Sequence, residues 1–135
     1  MQTYLAILSL TLAGLSSGSP TSVNNRRFSS GSCGIHVTQY QKNENGVGGA
    51  YKFDVRIVDA IGAIIGGVSG LAIEDFSSGD VTSQLPDVLV ISTGTADNDA
   101  VRLDYAGSHF SSSSQECSTG GYEDGNRDMD CGFPC

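Results

Sequence analysis

The chain has 135 residues, a formal charge of −8 at neutral pH, and only 16% charged residues among 18 glycines and no tryptophan. That length supports one domain and argues against a second. The acidic balance repels phosphate backbones and anionic lipid head groups, so neutral or cationic partners fit better than nucleic acid or a membrane surface.

Residues 4–15 carry no charge and lead into small residues and Pro20. An apolar run this short suits export and falls below the ~20 residues needed to span a bilayer. Residues 1–18 are therefore expected to be a signal peptide, with Ser16 and Gly18 as small residues suited to cleavage, and the protein is expected to be secreted and extracellular. Residues 19–27 end at the dibasic pair Arg26-Arg27, set among Ser, Thr and Asn. Secretory-pathway convertases cut such pairs in exposed segments, which would make residues 19–27 a pro-segment and Phe28 the new amino terminus. The alternative is a solvated pair of arginines in a polar leader. Residues 28–135 form the single expected domain and hold five basic against fifteen acidic residues, a formal charge of −10.

Within that domain, residues 34–40 read as a strand before a polar turn at 42–49. Residues 51–57, Tyr-Lys-Phe-Asp-Val-Arg-Ile, alternate apolar and charged side chains without a break. Period two with aromatic and β-branched residues on one face marks a strand with one side in the core. A turn at 59–62 and a return over 63–68 complete a hairpin, with Gly66 and Gly67 marking a bulge or a close backbone approach. Glycines at 62, 66 and 70 imitate the small-residue spacing of membrane helices, but the uncharged stretch 60–73 is too short to span. Its glycines would also cost a helix roughly 1 kcal/mol each. Neither G-x-G-x-x-G nor a P-loop is completed there, so nucleotide binding is not expected. Further strands are expected at 71–73, 87–92 and 101–105. Short strands separated by Gly, Ser, Asn and Asp, without an amphipathic helix, predict an all-β fold: a small antiparallel β-sandwich or barrel. Residues 111–135 are expected to form an irregular C-terminal tail tied down by disulfides.

The four cysteines, Cys33, Cys117, Cys131 and Cys135, all lie in the domain. An even number in a small exported protein predicts two disulfides. Cys33 stands alone near the start, so one bridge must join the beginning of the domain to its end and close a loop of at least ~80 residues. Cys131 with Cys135 would enclose only Gly-Phe-Pro, so Cys117 is expected to pair with one of the last two. A zinc site is the rival reading, but no C-x-x-C is present.

The polar series Asp124, Asn126, Asp128 and Asp130 places oxygens at every second residue, as the start of a calcium loop would. The sixth and twelfth positions, which such a loop fills with glycine and a carboxylate, hold Met129 and Cys135. A solvated acidic turn is the better reading, and Asp97 and Asp99 make a weaker candidate still. No cofactor or metal is expected. Gly67-Val-Ser69-Gly70 does not complete G-x-S-x-G, and no N-x-S/T sequon is present for N-glycosylation.

The run Cys33-Gly-Ile-His-Val-Thr-Gln-Tyr-Gln-Lys-Asn-Glu-Asn45, the Phe53-Asp-Val segment and the ending Gly121-Tyr-Glu-Asp-Gly-Asn-Arg-Asp-Met-Asp-Cys-Gly-Phe-Pro-Cys135 resemble small secreted cysteine-containing proteins of filamentous fungi. Those proteins are candidate effectors and elicitors of plant-associated species, and the resemblance spans residues 33–135. It implies an extracellular role at a host interface, linked to virulence, and brings no site residues with it.

The expected function is therefore non-enzymatic: a monomer whose loops 42–49, 93–99 and 107–116 bind a host or extracellular protein or glycan, with no nucleic acid and no membrane insertion. Two alternatives stand beside it. Secreted guanyl-specific ribonucleases of fungi are similar in size, acidity and cross-linking, and His36, Glu74, Arg102 and His109 supply a general base, a general acid and a cation, although their spacing does not match that family. The other alternative is a structural protein of the cell wall or surface coat.

Overall fold

The computed structural model describes residues 28–135. The expected signal peptide and the Arg26-Arg27 processing site lie outside the described residues. These fold into nine strands: β1 (Ser32–Tyr40), β2 (Tyr51–Val58), β3 (Ile64–Ile73), β4 (Ser78–Val81), β5 (Leu89–Ser92), β6 (Arg102–Tyr105), β7 (Ser108–Ser111), β8 (Cys117–Thr119) and β9 (Asn126–Pro134). One antiparallel sheet has the order β3-β2-β1-β9-β8 and the other β4-β5-β6-β7. Every neighbouring pair is consecutive in sequence except β1 and β9, which lie in register from Ser32 against Pro134 to Tyr40 against Asn126. The two ends of the domain are thus side by side. Cys33 bridges Cys135 and Cys117 bridges Cys131, so all four cysteines are paired.

The strands form because their apolar residues recur every second position, so that one face of each sheet can be buried. β1 buries Cys33, Ile35, Val37 and Gln39, and β2 buries Tyr51, Phe53, Val55 and Ile57. Val81, Leu89, Ile91, Leu103 and Phe110 face them from the other sheet in one continuous core. Phe133 joins the layers directly, its ring 5.1 Å from that of Tyr105 and 6.0 Å from that of Phe110. Each such side chain contributes about 1.5–3 kcal/mol by leaving water.

β2 and β3 form the expected hairpin, but its return runs on through residues 71–73, which are the end of β3 rather than a separate strand, with register shifts on β2 between Phe53 and Val55 and between Ile57 and Val58. Among the described residues no helix is long and apolar enough to cross a membrane. Gly66 and Gly67 are where β3 meets the opposite sheet: Gly67 N–H donates to the Thr82 carbonyl at 3.2 Å and Gln84 N–H to the Ile65 carbonyl at 2.9 Å. A Cβ on Gly66 would stand 2.3 Å from that of Ser83, and one on Gly67, at φ 150°, would stand 2.2 Å from the Val55 carbonyl oxygen. Side chains are excluded at both positions, and this side of the sandwich is stitched shut.

The C-terminal region departs from expectation. It is tied by disulfides, but residues 126–134 are extended rather than irregular, and β9 lies inside its sheet between β1 and β8. The reason is a period-two pattern hidden by polar residues. Arg127, Met129, Cys131 and Phe133 point inward while Asp128, Asp130 and Pro134 face water. The inward Arg127 is satisfied by Gln39 Oε1 at 2.8 Å.

Candidate functional site

Antiparallel pairing brings four connections to one end of the sandwich: residues 41–50, 74–77, 93–101 and 120–125. Side chains tie them to one another. Gln41 Nε2 donates to Asp97 Oδ2 at 2.7 Å, Lys42 Nζ to Asp75 Oδ1 at 2.7 Å, and Asn45 Nδ2 to the Asp124 carbonyl at 2.8 Å. The Tyr122 hydroxyl donates to the Asp97 carbonyl at 2.7 Å, and Tyr51 donates to Asp97 Oδ1 at 2.7 Å. Below them, Arg127 spans the gap between the sheets. Its Nε bonds Gln39, a second nitrogen donates to the Asp99 carbonyl at 2.9 Å, and the guanidinium lies 4.9 Å from the Tyr122 ring centroid.

These surroundings set the protonation states. Burial, and next the hydrogen bond to Asp97, hold the Tyr51 phenol well above its ordinary range. Burial pushes Tyr122 up to about 12, against the opposing pull of Arg127. Backbone N–H groups of Ala96 and Thr95 hold Asp99 below the usual carboxylate range. The end therefore presents neutral Tyr51 and Tyr122 phenols and an ionised Asp99 carboxylate at neutral pH.

Its backbone is also unusual. Of the five non-glycine residues with left-handed φ among the described residues, four lie in these connections: Asn43 (61°), Asn45 (47°), Phe76 (56°) and Asp124 (52°). Asn and Asp tolerate that region, but for a bulky aromatic such as Phe76 it is a true outlier. The Phe76 ring is 83% exposed.

Three cavities open near this end. One of about 430 Å³ is lined by Phe76, Thr93, Asp99 and Arg102 among others. It adjoins a second of about 480 Å³, which shares Ser92 and Arg102 and continues past Asp104, His109 and Ser111 on the outer face of the four-stranded sheet. A third, about 410 Å³, lies on the other sheet between Tyr40, Asn45, Lys52, Asp54 and Asn126.

Two of the three loops expected to carry recognition, 42–49 and 93–99, meet here. The third is split: the turn at Ala106-Gly107 joins β6 to β7 at the opposite end, β7 runs back, and Ser112 exchanges hydrogen bonds with Val101 of the 93–101 connection. The residues weighed for ribonuclease chemistry are not assembled. His36 lies on the outer face of the five-stranded sheet with Nδ1 2.6 Å from Asp130 Oδ1, opposite Arg56 in register. Arg102 and His109 lie on the outer face of the other sheet, where His109 pairs with Asp104. Glu74 is exposed in the β3–β4 connection.

The acidic series is likewise dispersed, because Asp128 and Asp130 sit on an extended strand. Asp128 accepts from Thr38 and Asp130 bonds His36. Asp97 and Asp99 hold loop backbone and side chains. Among the described residues no group of three or more His, Cys, Asp or Glu side chains is placed to hold a metal ion. Sequence reasoning missed Phe76, Tyr122 and Arg127. A lone aromatic inside the turn-forming run Glu74-Asp-Phe-Ser-Ser78 was the available signal for the first.

No known protein family matches the sequence. No curated protein or solved structure matches it either.

Proposed function

We propose that the chain is a secreted, effector- or elicitor-like binding protein that works without catalysis. On this reading the end formed by residues 41–50, 74–77, 93–101 and 120–125 engages an extracellular partner, protein or glycan, of a host. The observation that carries the reading is the concentration there of left-handed residues, Phe76 above all. Strain of about 1–3 kcal/mol at a position such as Phe76 persists only where the surroundings over-determine it, and it gathers at functional sites. The Asp97 and Arg127 networks supply that bracing. A surface already ordered loses little entropy when a partner docks. The charge of the domain favours neutral or cationic partners. Two disulfides suit an oxidising extracellular setting. The placement of His36 and His109 on different sheets favours binding over ribonuclease chemistry.

The test uses residues 28–135 with both bridges formed, applied to plant apoplastic fluid and wall fractions. A captured partner is identified and its affinity measured. Glu44→Arg combined with Val47→Arg, on the exposed β1–β2 connection, is expected to weaken binding at least tenfold while leaving the melting temperature unchanged. Equal affinity of that variant, or cleavage of RNA that His109→Ala abolishes, would overturn the proposal.

A further inference from the structure

The outer face of the four-stranded sheet carries a polar row that plays no part in the core. Ser78, Ser92, Arg102 and Ser111 stand opposite one another in register across β4, β5, β6 and β7. Four strands at about 4.8 Å spacing make this row roughly 14 Å long, more than one sugar ring occupies. The two adjoining cavities cover Ser92, Arg102 and Ser111 of this row, about 10 Å of it, and the exposed Phe76 lines one of them.

Two groups single out the Phe76 end. Asp99 Oδ2 is held by the Thr95 and Ala96 N–H groups at 2.8 and 2.9 Å. The carboxylate plane is thereby fixed, and Oδ1 is left to accept from a ligand. Arg102, exposed at the junction of both cavities, offers donors in a planar fork.

We infer that this groove binds a neutral oligosaccharide, with one pyranose ring against Phe76 and its hydroxyls shared between Asp99 and Arg102. A sugar presents both an apolar ring face and hydroxyls that donate and accept, which matches an aromatic plate beside a fixed acceptor and a fixed donor. A polyanionic glycan or a phosphate fits poorly, because Asp99 and Asp104 flank the single arginine. The inference rests on the binding reading above and names its ligand class and groove.

Residues 28–135 are titrated by calorimetry with cello-, xylo- and chito-oligosaccharides of six units, with an oligogalacturonide, and with a set of cationic peptides. Saturable binding of one or more neutral sugars is expected, and the sugar that binds distinguishes host wall from fungal wall as its source. Phe76→Asn suits the left-handed backbone, so this variant should melt no lower than the parent while binding at least tenfold more weakly. Arg102→Gln, at an exposed position, should also keep its melting temperature and lose affinity. The inference is overturned by no neutral sugar binding at millimolar concentration, by binding of the oligogalacturonide or peptides alone, or by unchanged affinity of both variants. If no sugar binds while Glu44→Arg with Val47→Arg still loses its captured partner, the groove assignment alone falls. If that double variant binds normally too, the loop-end reading falls with it.

Discussion

Removing the two disulfides separately should expose how differently they act. Cys33 and Cys135 are 102 residues apart, and Cys117 and Cys131 are 14 apart. Each bridge restricts the unfolded chain by closing a loop, so its contribution grows with the logarithm of that loop. The chain-entropy relation gives about 4.7 kcal/mol for the long bridge and about 3 kcal/mol for the short one. Packing losses should nearly cancel in the comparison, since Cys33 and Cys131 are both buried and their partners both partly buried. Against a total stability of roughly 5–15 kcal/mol for a domain of this kind, Cys33→Ala with Cys135→Ala brings the protein near its unfolding threshold. Cys117→Ala with Cys131→Ala leaves it folded. Urea titration followed by far-ultraviolet circular dichroism measures both. With a slope of about 1–3 kcal/mol per molar urea, the two midpoints should differ by roughly 1 M. Equal midpoints, or a larger loss from the short bridge, would refute the account in which sequence separation sets the effect.

Gly67→Ala should destabilise by about 3 kcal/mol, because the new Cβ meets a backbone oxygen that cannot turn aside; urea midpoints check it, and a loss below half that size would mean that β2 and β3 slide apart freely. Asp59 is held below the usual carboxylate range by N–H groups of Ser29, then Ala63 and Ile61. A depressed folded value means its contribution is complete above the unfolded pKa of about 3.9 and is lost as pH falls through the folded value. The melting temperature of the parent should therefore drop more steeply than that of Asp59→Asn below pH 4, and parallel curves would contradict this. Tyr122, neutral in the fold up to about pH 12, favours the folded state until pH rises past the unfolded phenol value near 10. Absorbance at the tyrosinate band should show a late step that Tyr122→Phe diminishes, Tyr51 supplying the remainder, and titration of every tyrosine near 10 before unfolding would exclude it.

Strand alternation was legible wherever the outward residues were charged and the inward ones apolar, as in β2. It was obscured in β9, where an inward arginine and outward glycine and proline break the contrast. β4 and β7 are short, and serine, glycine and histidine dominate them, so their inward residues, Val81 and Phe110, stand alone in sequence. The long bridge followed from position alone, since Cys33 has no near neighbour. The loop end was half legible. Turn residues announced the connections, but which of them share one end depends on strand direction, a property of the whole topology. Gln39 and Arg127 are 88 residues apart and meet only because β9 returns beside β1.

That meeting separates stability from recognition. Arg127→Ala would leave the buried Gln39 without its one side-chain partner and the Asp99 carbonyl without a donor. Stranded groups of this kind cost about 1–3 kcal/mol each, so a loss of about 2–6 kcal/mol is expected. Replacing both partners with apolar groups of similar length, Gln39→Leu with Arg127→Met, removes the stranded amide and should recover about half of that loss, leaving only the Asp99 carbonyl unpaired. The double variant still lacks the guanidinium that pins the 93–101 connection from below and lies against the Tyr122 ring. Its core should fold while its loop end loosens. Hydrogen exchange at Thr95, Ala96 and Asp99 should rise at least tenfold in it, and affinity for the captured partner should fall although the melting temperature partly returns. If exchange and affinity recover together with stability, the Arg127 network serves the core alone, and the bracing of the loop end must lie with Asp97.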